Sequence, residues 1–352
     1  MIVVFTSAFN AEATLRRAAD SLFAQSCGDF VYYLLDNGST DGTARIIKEL
    51  AARDKRIVPL ANRDNLRFRL RTFIAEFPGH YKETDYLCTL DSDDEYRPAF
   101  FSEMLRFIRE NRLKAATCGT DHIEAATGGL MRRKVVSENM ILEGPKFAEC
   151  FPAYRNFIVT NWGGLYSLGV IKKCDFSGLV LAQPMSDTVF ALEVFRNAER
   201  AGVLAESLHK YYISPGSISY NYSPNWFAAC KNILRLTRKY LLHFGEISRA
   251  NEDYLKVLLL ILIKYILPRI QTAEVGLGEK LSDLLNIFSD EETQSLLAGW
   301  HEFGVYSDRG EFIGEILNWL HAQPGREDFQ DRLEEIARYL TGPGQDNRRP
   351  YE

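Results

Sequence analysis

The sequence predicts an α/β chain, with a mainly parallel central sheet in its first part and an α-helical C-terminal region after it. Three observations predict this. Short apolar runs alternate with helix-periodic segments through the first hundred residues, the order expected of crossover units covering both faces of a sheet. Polar, acid-rich loops directly follow the apolar runs, and in such sheets ligands gather beyond the carboxyl ends of the strands. Strand signals stop after about Pro224 and helical spacing takes over.

Ile2–Phe5 reads as an opening buried strand, and Glu12–Gln25 as a helix whose apolar stripe is Leu15, Ala18, Ala19 and Leu22. Phe30–Leu35 is again strand-like and Gly42–Arg53 again helical. Ile57–Leu60 and Tyr86–Leu90 supply two further apolar runs. From Lys114 the pattern is mixed, with short strands at Ala115–Cys118 and Gly129–Val135 and a helix from Ser186 to about Arg200. Leu208–Ile213 precedes a turn at Ser214-Pro-Gly-Ser217. In the helical part, Ser289-Asp-Glu-Glu292 has the form of a capping box with Ser289 as cap. Arg309–His321 and Asp328–Leu340 are amphipathic helices, and the end from Thr341 is expected to fray.

The bulk properties exclude several classes. The 352 residues are 46% apolar and 25% charged with a net charge of -5, a soluble globular balance that argues against wholesale nucleic-acid binding. Cysteines 27, 88, 118, 150, 174 and 230 contain no C-x-x-C pair, which suits a reducing cytoplasm better than a zinc ribbon or disulfide scaffold. The first residues lack a basic, signal-like start, and the longest apolar run, Val257–Ile263, is too short to span a membrane.

The chemistry concentrates in Asp91-Ser-Asp-Asp94, immediately after the Tyr86–Leu90 run. Like charges this close repel, and a cation resolves the conflict. Carboxylate oxygens suit Mg²⁺ or Mn²⁺, and such sites commonly share the ion with substrate phosphates. A solvated acidic turn is the plain alternative, and Asp94 could instead support the site from behind or cap the next helix. A second loop, Asp36-Asn-Gly-Ser-Thr-Asp-Gly-Thr43, links strand to helix, with Gly38 allowing a tight turn. Asp36 and Asn37 there could meet ribose hydroxyls or a base edge.

Together with Ser7-Ala-Phe-Asn-Ala-Glu12, these segments resemble, in order and spacing, the family 2 glycosyltransferases. Asn161-Trp-Gly-Gly-Leu-Tyr166, Ser186-Asp-Thr-Val-Phe190 and Tyr211–Ile218 extend the resemblance over residues 1–222. It implies a GT-A nucleotide-binding domain at 1–222, a helical domain at 223–340 and a flexible tail at 341–352. It also implies an inverting transfer from a nucleotide-sugar, such as a UDP-sugar, to a glycan or lipid-linked acceptor hydroxyl in cell-surface glycan synthesis. By position, Asp187 becomes the general base, Asp93 the metal ligand, and Asp91 with Ser92 the nucleotide's ribose-diphosphate side. Ser7, Phe9, Asn10, Glu12, Asp36, Asn37 and Ser39 become nucleotide contacts, and Trp162 and Gly163 the acceptor side. Asn37 stands where many members bind uracil through aspartate, and Ser7 replaces a common proline.

Arg67-Phe-Arg-Leu-Arg71 alternates arginines, of which Arg71 falls where the family often touches the donor; an exposed edge strand would give the same alternation. The six histidines show no ligand spacing and read as surface or satisfied core residues. Residues 231–270 carry eight basic side chains against three acidic, with Lys231, Arg235 and Arg238 on one helical face. That face is expected either to be solvated, with the helix packing on the catalytic domain, or to touch the inner face of an anionic plasma membrane through 226–270. The extra helices could also form a homo-oligomer interface. A sugar nucleotidyltransferase would carry a glycine-rich basic loop after the first strand, where Ser7–Glu12 stands instead. A binding module without catalysis is the other alternative, opposed by the intact Asp91, Asp93 and Asp187.

Overall fold

A computed structural model describes residues 1–63, 69–75, 81–177, 185–214, 222–300 and 308–342. The chain divides into two compact units, Met1–Pro215 with Leu236–Glu246, and Gly216–Arg235 with Ile247–Glu352.

Among its described residues the first unit holds ten strands: β1 (Ile2–Ala8), β2 (Phe30–Asn37), β3 (Ile57–Asn62), β4 (Tyr86–Thr89), β5 (Glu95–Tyr96), β6 (Ala115–Glu124), β7 (Leu130–Lys134), β8 (Met140–Glu143), β9 (Gly164–Ser167) and β10 (Arg200–Ile213). Its helices are α1 (Leu15–Phe23), α2 (Thr43–Arg53), α3 (Arg69–Ala75), α4 (Phe100–Asn111), α5 (Lys146–Glu149), α6 (Phe151–Tyr154), α7 (Leu168–Ile171) and α8 (Ser186–Asn197). The strands form one sheet in the order β3-β2-β1-β4-β9-β6-β10-β5, with β7 on β6 and β8 on β10. Pairings β3-β2, β2-β1, β1-β4 and β6-β10 are parallel. The short β9 lies antiparallel between β4 and β6.

The core follows from the pattern of apolar residues. Ile2, Val4, Tyr32, Leu34 and Cys88 from the strands meet Leu15, Ala18, Ala19 and Leu22 of α1, Ile46, Ile47 and Leu50 of α2, and Phe100, Phe101 and Met104 of α4. Strand order reverses at β1: the chain runs outward through β2 and β3, then returns to place β4 on β1's other side. A crevice at the carboxyl ends of β1 and β4 is the result.

The second unit is helical among its described residues, with α10 (Arg249–Thr272), α11 (Leu277–Phe288), α12 (Glu291–Ala298), α13 (Arg309–His321) and α14 (Gln330–Thr341). A further helix, α9 (Trp226–His243), supplies residues to both units. Leu258, Ile263 and Ile266 of α10 and Leu281 and Leu284 of α11 are buried. No described helix is long and apolar enough to cross a membrane.

Several expectations change. The cap of α12 is Asp290 rather than Ser289, because the Asp290 carboxylate accepts the Thr293 N–H at 3.0 Å. Glu292 and Asp290 instead pair with Lys231, so that cation is not part of a freely solvated face. The arginine alternation does not make a strand where it is described: Arg69–Ala75 is helical, while residues 64–68 and the Arg71 side chain lie outside what is described. The expected turn at 215–217 and the tail beyond 342 also lie outside the described residues.

Candidate active site at the carboxyl edge of the sheet

Three strand-end loops meet because β2, β1 and β4 run parallel and side by side. The first two are tied to each other. Asn10 adopts a left-handed φ of 49°, which asparagine tolerates better than most residues. Its Oδ1 accepts the Thr40 N–H at 2.9 Å, and its own N–H donates to Ser39 Oγ at 3.0 Å. Glu12 accepts the Gly42 N–H at 2.9 Å and pairs with Arg45. Asp36 Oδ1 accepts the Ser39 N–H at 3.0 Å across the turn at Gly38, whose φ is 81°. Asn10, Glu12, Asp36 and Ser39 therefore brace the loop as well as bordering it. Asn37 Oδ1 accepts from Asn62 Nδ2 at 3.0 Å. Ser7 and Phe9 are exposed at the end of β1, and Thr6 Oγ1 donates to the Leu90 carbonyl at 2.6 Å, tying β1 to the acidic loop.

In that loop, carboxylate oxygens of Asp91, Asp93 and Asp94 lie within 4.8 Å of one another. Burial, and then the charges of Asp94, Asp187 and Asp93, push the Asp91 carboxyl well above the usual aspartate range, although its outer edge meets solvent. Burial raises Asp93 too, and burial followed by the charge of Asp93 raises Asp94 strongly. Asp94 does not cap a helix, since α4 begins at Phe100 after Ala99. It is fully buried, and its Oδ1 accepts the Tyr212 N–H of the β10 segment at 2.9 Å.

Sequence spacing missed two residues here. His209, expected to be surface or satisfied, is fully buried with Nε2 3.2 Å from Asp94 Oδ2. The pair misses hydrogen-bond geometry, so among the described residues that oxygen and both ring nitrogens have no hydrogen-bond partner. Burial and then nearby Lys134 push the imidazole down to about 3, which keeps it neutral. Register shifts in β10 around Ser207 set this position. Arg17 of α1 donates to the Asp93 carbonyl, pairs with Glu95 at 3.2 Å and lies 3.7 Å over the Tyr212 ring. Neither residue has a local sequence signal; each is recruited across the fold.

An orphaned buried carboxylate oxygen beside two solvent-reaching carboxylates fits a hard divalent cation such as Mn²⁺ or Mg²⁺. The oxygen-only donor set also suits an ion that keeps sites open for phosphate oxygens.

Asp187 stands in the first turn of α8. Burial pushes its carboxyl up to about 6, and its charge reaches Asp91, so the structure brings the two together. The segment before β9 lies between them: Thr188 Oγ1 donates to the Val159 carbonyl at 2.9 Å, and Thr89 Oγ1 of β4 to the Asn161 carbonyl at 2.8 Å. Gly163, at φ 73°, donates its N–H to Tyr96 Oη at 3.1 Å. Trp162 is only 7% exposed and stacks on His209 and Tyr211, with ring centroids 4.4 and 5.4 Å away. It is a buried wall of the site rather than the open platform a sugar ring would need. A separate cavity of about 540 Å³, lined by Met1, Asp29, Lys82, Asp85 and Arg109 among others, opens at the amino end of β1 and β4 and shares no residue with the acidic loop.

Residues 3–168 match the model of glycosyl transferase family 2. The uncharacterized glycosyltransferase YibD of Escherichia coli (strain K12) is 25% identical over 248 residues, 66% of this chain and 70% of that protein. The uncharacterized glycosyltransferase EpsJ of Bacillus subtilis (strain 168) is 24% identical over 261 residues, 72% of this chain and 73% of its own length. The fold is similar to that of S. aureus TarS residues 1–349, solved in complex with UDP-GlcNAc, at a TM-score of 0.57 and 15% identity over 96% of this chain and 90% of that one.

Proposed function

Since residues 3–168 belong to glycosyl transferase family 2 and the chain is a glycosyltransferase, we propose that it transfers a sugar from a UDP-sugar to an acceptor hydroxyl with inversion at the anomeric carbon. The observation that carries this reading is that the segment before β9 is bonded both to the helix of Asp187, through Thr188 Oγ1 and the Val159 carbonyl, and to the strand that leads into the acidic loop, through Thr89 Oγ1 and the Asn161 carbonyl. A base and a diphosphate-side carboxylate at one crevice are what a single in-line displacement requires.

Asp187 takes the proton from the acceptor hydroxyl as that oxygen attacks the anomeric carbon. A carboxyl pushed to about 6 is ionised at neutral pH yet basic enough to accept it. Asp93, with Asp91 and Asp94 beside it, would hold Mn²⁺ or Mg²⁺. When bound, that ion supplies neutralising charge for the departing diphosphate. By their place in the family's motifs, Asp91 and Ser92 are assigned to the ribose-diphosphate, Asp36 and Asn37 to the nucleoside, and Arg71, whose side chain is outside the described residues, to the donor phosphates. TarS holding UDP-GlcNAc supports uridine as the base. The Asn37 side-chain carbonyl is of the type that accepts a base N–H.

The acceptor is a glycan or lipid-linked glycan of the cell surface, met at the cytoplasmic face of the membrane. The 226–270 segment is the candidate for peripheral contact; within it Lys231 is paired with Asp290 and Glu292, and Lys256 with Asp253. A thermal-shift screen of nucleotide-sugars with Mn²⁺ tests the donor, and NMR of the product tests the stereochemistry. Stabilisation by UDP-sugars and an inverted anomeric centre are expected; a product that keeps the donor's configuration overturns the displacement.

A further inference from the structure

Strand β7 carries Arg132, Arg133 and Lys134 in succession, and its register separates them. Thr120, Asp121 and His122 of β6 pair with Lys134, Arg133 and Arg132 in turn. Side chains directly opposite share a face and neighbours alternate. Arg133 therefore turns to Asp121, which it meets at 2.7 Å. Arg132 and Lys134 turn to the other face. The parallel pairing of β6 with β10 sets Thr120 against His209 and His122 against Tyr211, so the face with Arg132 and Lys134 is the one that carries His209, Tyr211 and the stacked Trp162.

On that face the cations keep company with one another. Lys134 Nζ donates to the Asn156 carbonyl at 2.8 Å and lies 5.4 Å from the Phe157 ring and 5.9 Å from Trp162. Arg155 Nη1 reaches Asn156 Oδ1 at 3.4 Å. Arg132 Nη2 lies 3.5 Å from His122 Nε2. Among the described residues no carboxylate forms an ion pair with Arg132 or Lys134, whereas Arg133 between them is paired. Burial, and then Arg132 and Arg155, lower the Lys134 ammonium to about 8. The same burial, with Lys134 and Arg132, lowers His122 to about 4.

The position of this patch gives it a use. Lys134 reaches Asn156, Phe157 and Trp162, and the helix of Asp187 binds Val159 of the same segment. The acidic loop ends β4, whereas β7 hangs on β6, with β9 between β4 and β6. The two meet at His209, which lies on the patch's face and 3.2 Å from Asp94, so an anion at Arg132 and Lys134 would lie beside a donor diphosphate held at Asp91 and Asp93.

We propose that the Arg132–Lys134 face of β7 is an acceptor subsite for an anionic group, a phosphodiester or a carboxylate, on the glycan that receives the sugar. Arginine and lysine side by side on a partly dry face match such groups through charge-assisted hydrogen bonds. This rests on the transferase reading, because it takes the neighbouring Asp187 as the base.

The test titrates the full chain, with UDP and Mg²⁺ present, against three oligomers of equal length: a glycerol phosphodiester, a hexuronate and a neutral hexose. One anionic oligomer should bind at least about tenfold tighter than the neutral one, and which one identifies the anion. The double variant Arg132→Gln, Lys134→Gln should lose that preference while UDP affinity stays within about twofold, and Lys134→Arg should keep it. Arg132 is exposed, so Arg132→Gln alone should fold and lose part of the preference. Equal binding of all three oligomers, or a double variant that keeps the preference, overturns the subsite. A fall of UDP affinity in step with oligomer affinity also overturns it, by assigning the cations to the donor. Wild-type protein that fails to bind UDP sinks the donor reading instead, and the oligomer preference is read independently in the same titrations.

Discussion

Replacing Asp187 with asparagine should make the protein more stable and the enzyme inactive. The carboxyl is pushed from 3.8 to about 6 by burial, and each pH unit of such a displacement is worth about 1.4 kcal/mol. The full value is about 3 kcal/mol at neutral pH; because the side chain is only partly covered, solvent reduces this to about 1–2 kcal/mol. The folded carboxyl titrates above the unfolded one, so the native state binds more protons between the two values. Wild-type protein therefore gains stability as pH falls from about 6 towards 3.8, and Asp187→Asn, which has nothing to titrate there, does not. At pH 7.5 without metal or nucleotide the variant should melt about 2–6 °C higher, and the gap should close by about pH 4. Transfer should fall by about 10²–10⁴-fold with UDP affinity retained. Differential scanning fluorimetry across pH and a coupled UDP-release assay measure both. A gap that widens towards pH 4, or a variant that melts lower at pH 7.5, refutes the desolvation argument; near-normal transfer refutes the base.

Asp93→Ala should abolish metal-stimulated UDP binding, read by calorimetry with and without Mn²⁺; an unchanged metal effect would remove Asp93 from the site. Asp121 is buried under the cross-strand pair with Arg133 and the contact from Arg97. Burial works to raise its carboxyl, but the hydrogen bonds from Arg133, Ser207 and Arg97 more than offset that and hold it well below the usual range. Its stabilisation is present above the ordinary aspartate value and lost as pH falls below it. Asp121→Asn should cost about 3 kcal/mol in urea unfolding at pH 7, and a cost below about 1 kcal/mol would contradict the pairing. Flotation with anionic liposomes at low salt checks the 226–270 segment: co-flotation that 0.5 M salt reverses is expected of peripheral contact, and no binding at low salt ends the idea.

The parts of this fold legible in the sequence are those whose signal is local. Apolar runs marked β1 to β4, and the polar residues after them already spelled the convergence of three loops, because parallel neighbours put their carboxyl ends together. The role of Asp94 was not legible. Its partners, His209 and the Tyr212 N–H, come from β10, more than a hundred residues on, and no spacing rule links the two stretches. Only Leu208–Ile213 of β10 looked like a strand, since Arg200–Ser207 interrupts its apolar residues with Arg200, Gly202 and Glu206. The stacking of Trp162 on His209 and Tyr211 was not legible either, because it depends on strand register. The Lys231 pairings failed for a similar reason: helical periodicity predicts which residues share a face, not which distant acids come to cover it.

The short β9 has a consequence for how such a protein can change. Because it runs against β4 and β6, the chain entering it arrives at the rim where β4 ends. Residues 155–163 thus reach the crevice through a stretch of chain separate from those that end β1, β2 and β4, joined to β4 by the bond from Thr89 Oγ1 to the Asn161 carbonyl. A change in the length of that stretch would leave in place the strand ends that carry Asp36, Asp91, Asp93 and Asp94.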